Sequence, residues 1–343
     1  MDVGILGGSG YGGGELVRLL QAHPSLKLRT VAARASAGQR LGEVFENLAA
    51  SPSGHMRLAA PEPDAFEGCD LVFLATPADA SRASAAALLD AGALVVDLSD
   101  AFRLVAEPLR APAAAAGHAP EGAAPARAAY GLPELYGEQL PNARLVASPG
   151  CYPTAALLAL APLAELVDPA SVTVVGMSGT SGAGRGLRDD LHASHAMGNI
   201  AAYAAPTHRH TPEIAAGWGA ITGEVAAVTF VPHLVPTVRG LVCTVTANLR
   251  GDPAAVRPAY ERAYGGEPFV HVVPDGAWPA ATHVLGGNGV HVGVAVDRAA
   301  RRVVASAALD NLGKCAAGQA LQNANLLLGL EETAGLSATG VYP

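Results

Sequence analysis

Residues 3–13 read Val-Gly-Ile-Leu-Gly-Gly-Ser-Gly-Tyr-Gly-Gly, a short apolar run followed by a glycine-rich segment. Its first four residues predict a buried strand, and Glu15–Gln21 carries the apolar stripe of a helix. Glycines between a strand and a helix let the backbone approach a pyrophosphate at the helix N-terminus. We therefore predict a dinucleotide site, with a glycine-rich turn that binds nothing as the alternative. The residues expected to contact the cofactor are Gly7, Ser9, Gly10, Tyr11 and Gly13.

Strand-like and helical segments alternate over the first hundred residues. The helical stretch Asp79–Asp90 lies between the strand-like runs Asp70–Ala75 and Leu94–Leu98, and an earlier run covers Leu26–Ala33. Such alternation is typical of a parallel sheet with helices on both faces. The predicted fold class is α/β, with a Rossmann-type dinucleotide-binding domain at the N-terminus.

The pattern changes beyond residue 105. Ala, Pro and Gly dominate residues 105–128, which predicts an irregular surface connection. Later strand-like runs have few helices between them, so they predict a mixed or antiparallel sheet. These runs are Val172–Met177, Val225–Val231, Leu241–Leu249, Val290–Val296 and Val303–Leu309. A last helix is predicted from about Asn311 to Leu328.

The composition argues against several classes of partner. The formal net charge is −8 and Lys and Arg form no run, whereas a nucleic-acid-binding protein normally carries a basic patch. The longest apolar segment, Thr154–Val167, is shorter than the roughly 20 residues that span a bilayer. The four cysteines are too widely spaced for a metal motif and are expected to be thiols in a reducing compartment. We expect a cytoplasmic protein that binds no nucleic acid, membrane or metal.

The end of the second predicted strand indicates which dinucleotide binds. NAD-specific sites usually place an acid there to hold the ribose hydroxyls. This chain has Arg34 and Ser36 instead, which can pair with and donate to a 2′-phosphate. The pattern therefore favours NADP(H), with a solvated surface arginine as the alternative.

Cys151 is the candidate nucleophile. It lies in Ser148-Pro149-Gly150-Cys151-Tyr152-Pro153-Thr154, directly before the apolar helical run Ala155–Leu160. Proline suits the first turn of a helix, so the cysteine is expected at a helix N-terminus, where the dipole stabilises a thiolate. A thiolate together with NADPH indicates attack on an activated acyl group and reduction of the resulting thioester to an aldehyde.

Candidate acid/base groups lie in residues 207–213, Thr-His-Arg-His-Thr-Pro-Glu. On an extended segment His208 and His210 would point the same way, and either could contact Cys151 while Glu213 orients one of them. A surface histidine pair is the alternative, and His233 is a further candidate or a structural histidine. The small residues of Ser178–Arg185 allow close approach to a nicotinamide or a substrate, so Ser178, Gly179 and Gly182 are candidate cofactor contacts; a flexible loop is the alternative.

Taken together, these blocks resemble the N-acetyl-γ-glutamyl-phosphate reductases of arginine biosynthesis over nearly the whole chain. The Pro-Gly-Cys-Tyr-Pro-Thr block is the most specific, and the histidine block and the glycine loops match in order and spacing. Further matching blocks are Asp97-Leu98-Ser99 with Phe102-Arg103-Leu104, Tyr130 to Leu135, and Asp310-Asn311-Leu312. The sequence departs from the family pattern at Ser99-Asp100-Ala101 and at Lys314-Cys315, where the family often has Ser-Ala-Asp and Lys-Gly.

The resemblance implies a semialdehyde and glyceraldehyde-phosphate dehydrogenase type of architecture. Residues 1–147 with 310–343 would form the NADP-binding domain, and residues 148–309 the second, α+β domain, which serves catalysis and dimerisation in a homo-tetramer or homo-dimer. Cys151 would form the thioester, His208 would be the acid/base supported by His210 and Glu213, and Asn311 would lie near the nicotinamide. The substrate would be an acyl phosphate, with inorganic phosphate as the other small molecule. Its candidate arginine clamps are Arg103, Arg185 and Arg209.

Three other functions stay open at this point. A related reductase of lysine biosynthesis acts on an aminoacyl phosphate attached to an acidic carrier protein, but no basic docking surface is visible here. Aspartate-semialdehyde dehydrogenases have a different cysteine block. A non-catalytic NADPH-binding regulator would not need an activated nucleophile.

Overall fold

The computed structural model describes residues 1–118, 125 and 127–342. Its strands are β1 Asp2–Leu6, β2 Lys27–Ala32, β3 Leu71–Leu74, β4 Leu94–Asp97, β5 Ala128–Tyr130, β6 Leu145–Ala147, β7 Val172–Ser178, β8 Ala201–Ala202, β9 Val228–Leu234, β10 Leu241–Asn248, β11 Val270–Val272, β12 Val290–Asp297 and β13 Arg302–Leu309. Its α-helices are α1 Tyr11–Leu20, α2 Leu41–Val44, α3 Ala78–Asp90, α4 Arg110–Ala115, α5 Pro133–Tyr136, α6 Cys151–Leu160, α7 Ala193–Ala196, α8 Thr211–Thr222, α9 Val256–Tyr264 and α10 Gly318–Leu327.

The first of two compact units comprises Met1–Glu107, Glu121–Pro149 and Ala316–Leu336. Its six strands form one sheet in the order β2-β1-β3-β4-β6-β5, and every pair is parallel. The predicted parallel α/β arrangement is thereby confirmed. The chain reverses its direction of strand addition between β1 and β3, and such switch points are where open parallel sheets bind ligands.

The core of this unit joins the first and last parts of the chain. Val3 and Ile5 of β1 pack in one buried cluster with Leu16 of α1 and with Leu321 and Ala324 of α10. Helix α10 also holds the end of β5, because Gln319 and Asn323 donate side-chain hydrogen bonds to the Gly131 carbonyl at 2.6 and 3.0 Å.

The second unit comprises Pro108–Pro120, Gly150–Cys315 and Ser337–Pro343. Its seven-stranded sheet has the order β11-β12-β13-β10-β7-β9-β8. The β7–β9 and β11–β12 pairs are parallel and the remaining pairs are antiparallel, so the sheet is mixed, as the sequence predicted. Helix α6 packs against β10 and β13 on one face.

Two predicted element boundaries were wrong. The strand expected at Val225–Val231 begins at Val228, because Gly223 ends α8 in a left-handed conformation and the following residues, including the exposed Val225, connect to the sheet. The last helix does not begin at Asn311. The Asp310 carboxylate accepts hydrogen bonds from the main-chain N–H groups of Leu312 and Gly313, a π-helical turn follows, and the α-helix starts at Gly318.

The irregular connection predicted for residues 105–128 contains the short helix α4. Part of it, at residues 119–124 and 126, lies outside the described residues. Over the described ranges, no helix combines the length and the apolar character that crossing a bilayer requires.

Gly13 should be a position in α1 that tolerates no side chain, with Gly12 as its matched control. A Cβ at Gly13 would lie 2.6 Å from the Gly7 carbonyl oxygen, whereas one at Gly12 would only touch Leu98 at 3.8 Å. We expect Gly13→Ala to destabilise the chain by about 1–3 kcal/mol through overpacking. Gly12→Ala should be neutral or stabilise by up to about 1 kcal/mol through helix propensity. Urea unfolding measures both, and equal midpoints for the two variants would contradict this packing.

Candidate active site

Cys151 is the first residue of α6 and opens the candidate site. Gly150 caps the helix in an extended conformation, and residues Tyr152–Leu160 are all buried while Cys151 is half-buried. A helix buried on every side is held by packing, so its N-terminus is fixed at the point where the thiol meets solvent. The positive end of the helix dipole at that point favours a thiolate.

Glu213 connects α8 to this N-terminus. Its side chain is 2% exposed, and its Oε1 accepts a hydrogen bond from the Gly150 N–H at 2.9 Å. A hydrogen bond between a main-chain N–H and a buried carboxylate is charge-assisted, which makes it stronger than a neutral one. Glu213 therefore fixes the residue that immediately precedes the nucleophile.

His210 packs directly on Gly150. The imidazole is 3% exposed, and a Cβ at Gly150 would lie 2.5 Å from its Nε2. The absence of a side chain at Gly150 is therefore what admits the ring. His210 is the N-cap of α8 in an αR conformation, so the same helix start positions both His210 and Glu213 beside Cys151.

His208 has different surroundings. Its Nδ1 accepts a hydrogen bond from the His210 N–H at 3.1 Å, and its ring lies against those of Tyr152, Tyr203 and Phe230. Burial, and then the charge of Arg209, lower the pKa of His208 to about 4. Near neutral pH this imidazole is neutral and carries its proton on Nε2.

The extended conformation expected for residues 207–210 was wrong. These residues form a turn that ends at the N-terminus of α8. The two imidazoles still meet, with 4.8 Å between ring centroids, because the turn brings His208 back over the main chain of His210.

A cavity of about 580 Å³ in the second unit contains these groups. Cys151, His208, Arg209 and His210 line it, and so do Ser178, Gly179 and Gly182 of the predicted small-residue loop. The structure thus brings the predicted nucleophile, both predicted histidines and this loop to a single cavity, which has the size of a small-molecule site.

The predicted dinucleotide contacts of the first unit lie at the carboxyl ends of β1 and β2. Gly7 has a φ of +93°, and a Cβ there would lie 2.3 Å from the Ala75 carbonyl oxygen. The N–H groups of Gly7 and Gly8 both donate to the Ala32 carbonyl at the end of β2. This contact places the exposed Arg34 close to the glycine-rich turn, and Ser36 follows in the same turn.

Sequence comparisons identify the family. Residues 2–143 match the NAD binding domain of semialdehyde dehydrogenases, and residues 151–311 match their dimerisation domain. An N-acetyl-γ-glutamyl-phosphate reductase from Acidothermus cellulolyticus is 48% identical, over 99% of this chain and 99% of the relative. One from Mycobacterium avium is 47% identical, over 100% and 99%. This chain belongs to the N-acetyl-γ-glutamyl-phosphate reductase family.

Solved structures of aspartate semialdehyde dehydrogenases show the same fold. Aspartate semialdehyde dehydrogenase II from Vibrio cholerae, solved with ASA, matches with a TM-score of 0.73 at 18% identity, over 96% of this chain and 98% of that chain. The Candida albicans aspartate semialdehyde dehydrogenase, solved with NADP, matches with a TM-score of 0.71 at 17% identity, over 95% and 98%. At these identities the likeness shows the fold alone, and it confirms the predicted semialdehyde dehydrogenase architecture.

The predicted substrate arginines occupy three different surroundings. Arg209 lines the cavity. Arg185 is exposed and is not among the described residues that line it. Arg103 is 5% exposed in the first unit, where its guanidinium donates to the Ser148 and Leu98 carbonyls at 2.8 Å each. These bonds show Arg103 bracing the main chain that leads to Pro149.

Asn311 supports the cavity from behind. Its side chain accepts from the Gly240 N–H at 2.7 Å and donates to the Ser181 hydroxyl at 2.8 Å. It thereby holds the small-residue loop, whose Gly179 N–H also bonds the Gly240 carbonyl at 3.0 Å.

The cavity contains residues that the sequence analysis did not select. Arg188 lines it in an ion pair with Asp190, and Tyr203 shares a hydrogen bond of 3.2 Å with the Tyr152 hydroxyl. Both belong to residues 184–203, a segment with weak periodicity in the sequence. Their proximity to Cys151 depends on tertiary contacts, so no local pattern could have indicated it.

Substitution of Gly150 should lower the reactivity of the Cys151 thiol, although Cys151 itself is unchanged. A methyl group in Gly150→Ala would displace the His210 ring, so we expect alkylation of Cys151 by iodoacetamide at neutral pH to slow by about tenfold, as for a tenfold loss of thiolate. Gly186→Ala is the control, because no atom lies within 4 Å of a Cβ there. The rates come from mass spectrometry of the Cys151 peptide. Equal rates in the two variants would show that His210 does not influence the thiol.

Proposed function

We propose that this chain is an NADPH-dependent N-acetyl-γ-glutamyl-phosphate reductase of arginine biosynthesis. It would convert N-acetyl-L-glutamyl 5-phosphate to N-acetyl-L-glutamate 5-semialdehyde and release inorganic phosphate. The observation that carries the proposal is the thiol at the N-terminus of α6, positioned beside His210 in a chain whose full-length relatives carry this enzyme name. The names of these relatives favour this substrate over the carrier-linked one of lysine biosynthesis.

The residues of the first unit fit a nicotinamide dinucleotide with a 2′-phosphate. The close approach of Gly7 to Ala75 and of Gly13 to Gly7 leaves bare backbone at the start of α1, where a pyrophosphate would bind. Arg34 and Ser36 follow β2, and no acid occupies residues 33–36. When bound, NADPH supplies the hydride. We assign its contacts to Gly7, Ser9, Gly10, Tyr11, Gly13, Arg34 and Ser36, with Ser178, Gly179, Gly182 and Asn311 at the nicotinamide end.

Cys151 performs the covalent chemistry in this proposal. Its thiolate attacks the acyl carbon, phosphate leaves, and a thioester remains until reduction releases the aldehyde and restores the thiolate. Arg209, which lines the cavity, would attract the anionic substrate. Glu213 keeps Gly150, and with it the start of α6, in place throughout.

We propose His210, rather than His208, as the proton donor and acceptor. His210 packs on the residue before Cys151, whereas the Nδ1 of His208 is engaged by main chain. A pKa of about 4 also makes His208 a poor base near neutral pH.

The histidine assignment can be tested by two matched variants. His210→Asn should lower kcat by about 10²–10⁴-fold, the usual contribution of a general acid or base. His208→Asn should lower it far less and leave the pH profile of kcat unchanged. A larger loss in His208→Asn than in His210→Asn would reverse the assignment.

We further propose a homo-dimer or homo-tetramer in the cytoplasm. The dimerisation domain of the family matches residues 151–311. On the sheet face opposite α6, alternate residues of β7 and β10 such as Val175, Met177 and Val242 are half-buried or exposed. A second copy would cover this apolar strip.

The reverse reaction tests the proposed activity directly. N-acetylglutamate semialdehyde, phosphate and NADP should yield NADPH, followed by its absorbance, and NAD should be a poorer substrate because Arg34 has no 2′-phosphate to bind. Cys151→Ser should form none, whereas Cys69→Ala, which removes a buried thiol of the first unit, should remain active. If the intact protein forms no NADPH, the proposed function is wrong.

A further inference from the structure

Two more thiols lie at the start of α6, and the proposed reaction uses neither. The Cys315 thiol donates to the Cys151 carbonyl oxygen at 3.3 Å, and the Cys243 thiol donates to the Tyr152 carbonyl oxygen at 3.8 Å. Cys315 is 5% exposed and Cys243 is fully buried in β10. Three of the four cysteines in the chain therefore surround one helix N-terminus.

The Cys315 sulfur lies near Cys151, at a distance that a disulfide could span after a change in side-chain conformation. Its sulfur lies 3.3 Å from the Cys151 carbonyl oxygen, and standard bond lengths then place that sulfur within about 6 Å of the Cys151 Cα. Disulfides join Cα atoms about 4.4–6.8 Å apart. The Cys315 Cα lies one side-chain length beyond its sulfur, so the disulfide requires both side chains to turn toward each other, together with any small main-chain shift that brings the two Cα atoms into this range. Cys315 lies in the π-helical turn Gly313–Ala317, a conformation that is rare and often occurs at functional sites.

The surroundings of Cys315 keep its thiol protonated while Cys151 is charged. Burial raises the pKa of Cys315 well above its ordinary value, and the negative charge of Cys151 raises it further. If the Cys151 sulfur became neutral, that repulsion would vanish and the Cys315 thiol would lose its proton more easily. Oxidation of Cys151 to a sulfenic acid is such a change.

We propose that Cys315 is a resolving thiol for Cys151, so that peroxide converts the pair to a reversible disulfide. The proposal rests on the proposed function, because it needs Cys151 to be a reactive thiolate.

A peroxide is the oxidant in the proposed reaction, which has two steps. The Cys151 thiolate attacks one peroxide oxygen, the O–O bond breaks, and hydroxide leaves; sulfur loses the two electrons that the peroxide gains. The Cys315 sulfur then attacks the sulfenic sulfur of Cys151, the S–O bond breaks, and the hydroxide takes the Cys315 proton to leave as water. A dithiol reductant reverses the S–S bond and returns both thiols.

The test uses the full-length protein, reduced and then treated with hydrogen peroxide in the absence of substrate. After alkylation and non-reducing digestion, mass spectrometry should find the Cys151 and Cys315 peptides joined with the loss of two hydrogens. Activity in the reverse assay should fall and return on treatment with dithiothreitol. Cys315→Ser, which keeps a donor to the Cys151 carbonyl, should be inactivated but recover several-fold less, because its Cys151 proceeds to sulfinic acid.

Cys243→Ala is the matched control and should recover like the wild type, and Cys315→Ala provides a second test of the resolving role. A disulfide between Cys151 and Cys243, or full recovery of both Cys315 variants, would overturn the proposal. The activity of the reduced wild type separates failure of the proposed function from failure of the resolving-thiol proposal. If it is inactive before peroxide is added, the proposed function fails, whereas an active enzyme that forms no Cys151–Cys315 link refutes the resolving thiol alone.

Discussion

The hydrogen bond from the Gly150 N–H to the Glu213 carboxylate joins the two halves of the candidate site. It links the N-terminus of α6, which carries Cys151, to the first turn of α8, which carries His210. Because Gly150 has no side chain, the imidazole of His210 can pack on the same residue. The Cys151 thiol, the His210 imidazole and the Glu213 carboxylate are thereby placed together around a single residue, Gly150.

The packing behind α6 explains how the arrangement stays rigid. Residues Tyr152–Leu160 are buried, and Tyr260 and Tyr264 of α9 donate their hydroxyl groups to the carbonyls of Ala159 and Leu158 at the far end of the helix. On the other side of the cavity, the Asp310 carboxylate pairs with Arg239 while Asn311 bonds the main chain of Gly240. Both ends of the site are therefore fixed by hydrogen bonds to main chain, which gives the reacting groups a preorganised geometry.

The sequence predicted those elements whose conformation depends on residues close to one another in the chain. The glycine-rich turn of residues 7–13 and the helix start at Cys151 both follow from neighbours in sequence, namely a strand before the glycines and a proline with an apolar run after the cysteine. The contact between Gly150 and Glu213 spans 63 residues, and no periodicity encodes it. The turn at residues 207–210 and the delayed start of the last helix depend instead on side chains that bond main chain two residues away. Hydrophobic periodicity does not encode such contacts, so the extended segment and the helix from Asn311 were wrong predictions.

Acylation in the absence of cofactor shows directly whether Cys151 accepts the acyl group. The protein would be mixed with N-acetyl-L-glutamyl 5-phosphate, quenched in acid and mapped by mass spectrometry, with released phosphate measured in parallel. We expect one N-acetylglutamyl group per chain, attached to Cys151 as a thioester, and an equal amount of phosphate. Acylation at another residue, or phosphate release that persists unchanged in Cys151→Ala, would contradict it.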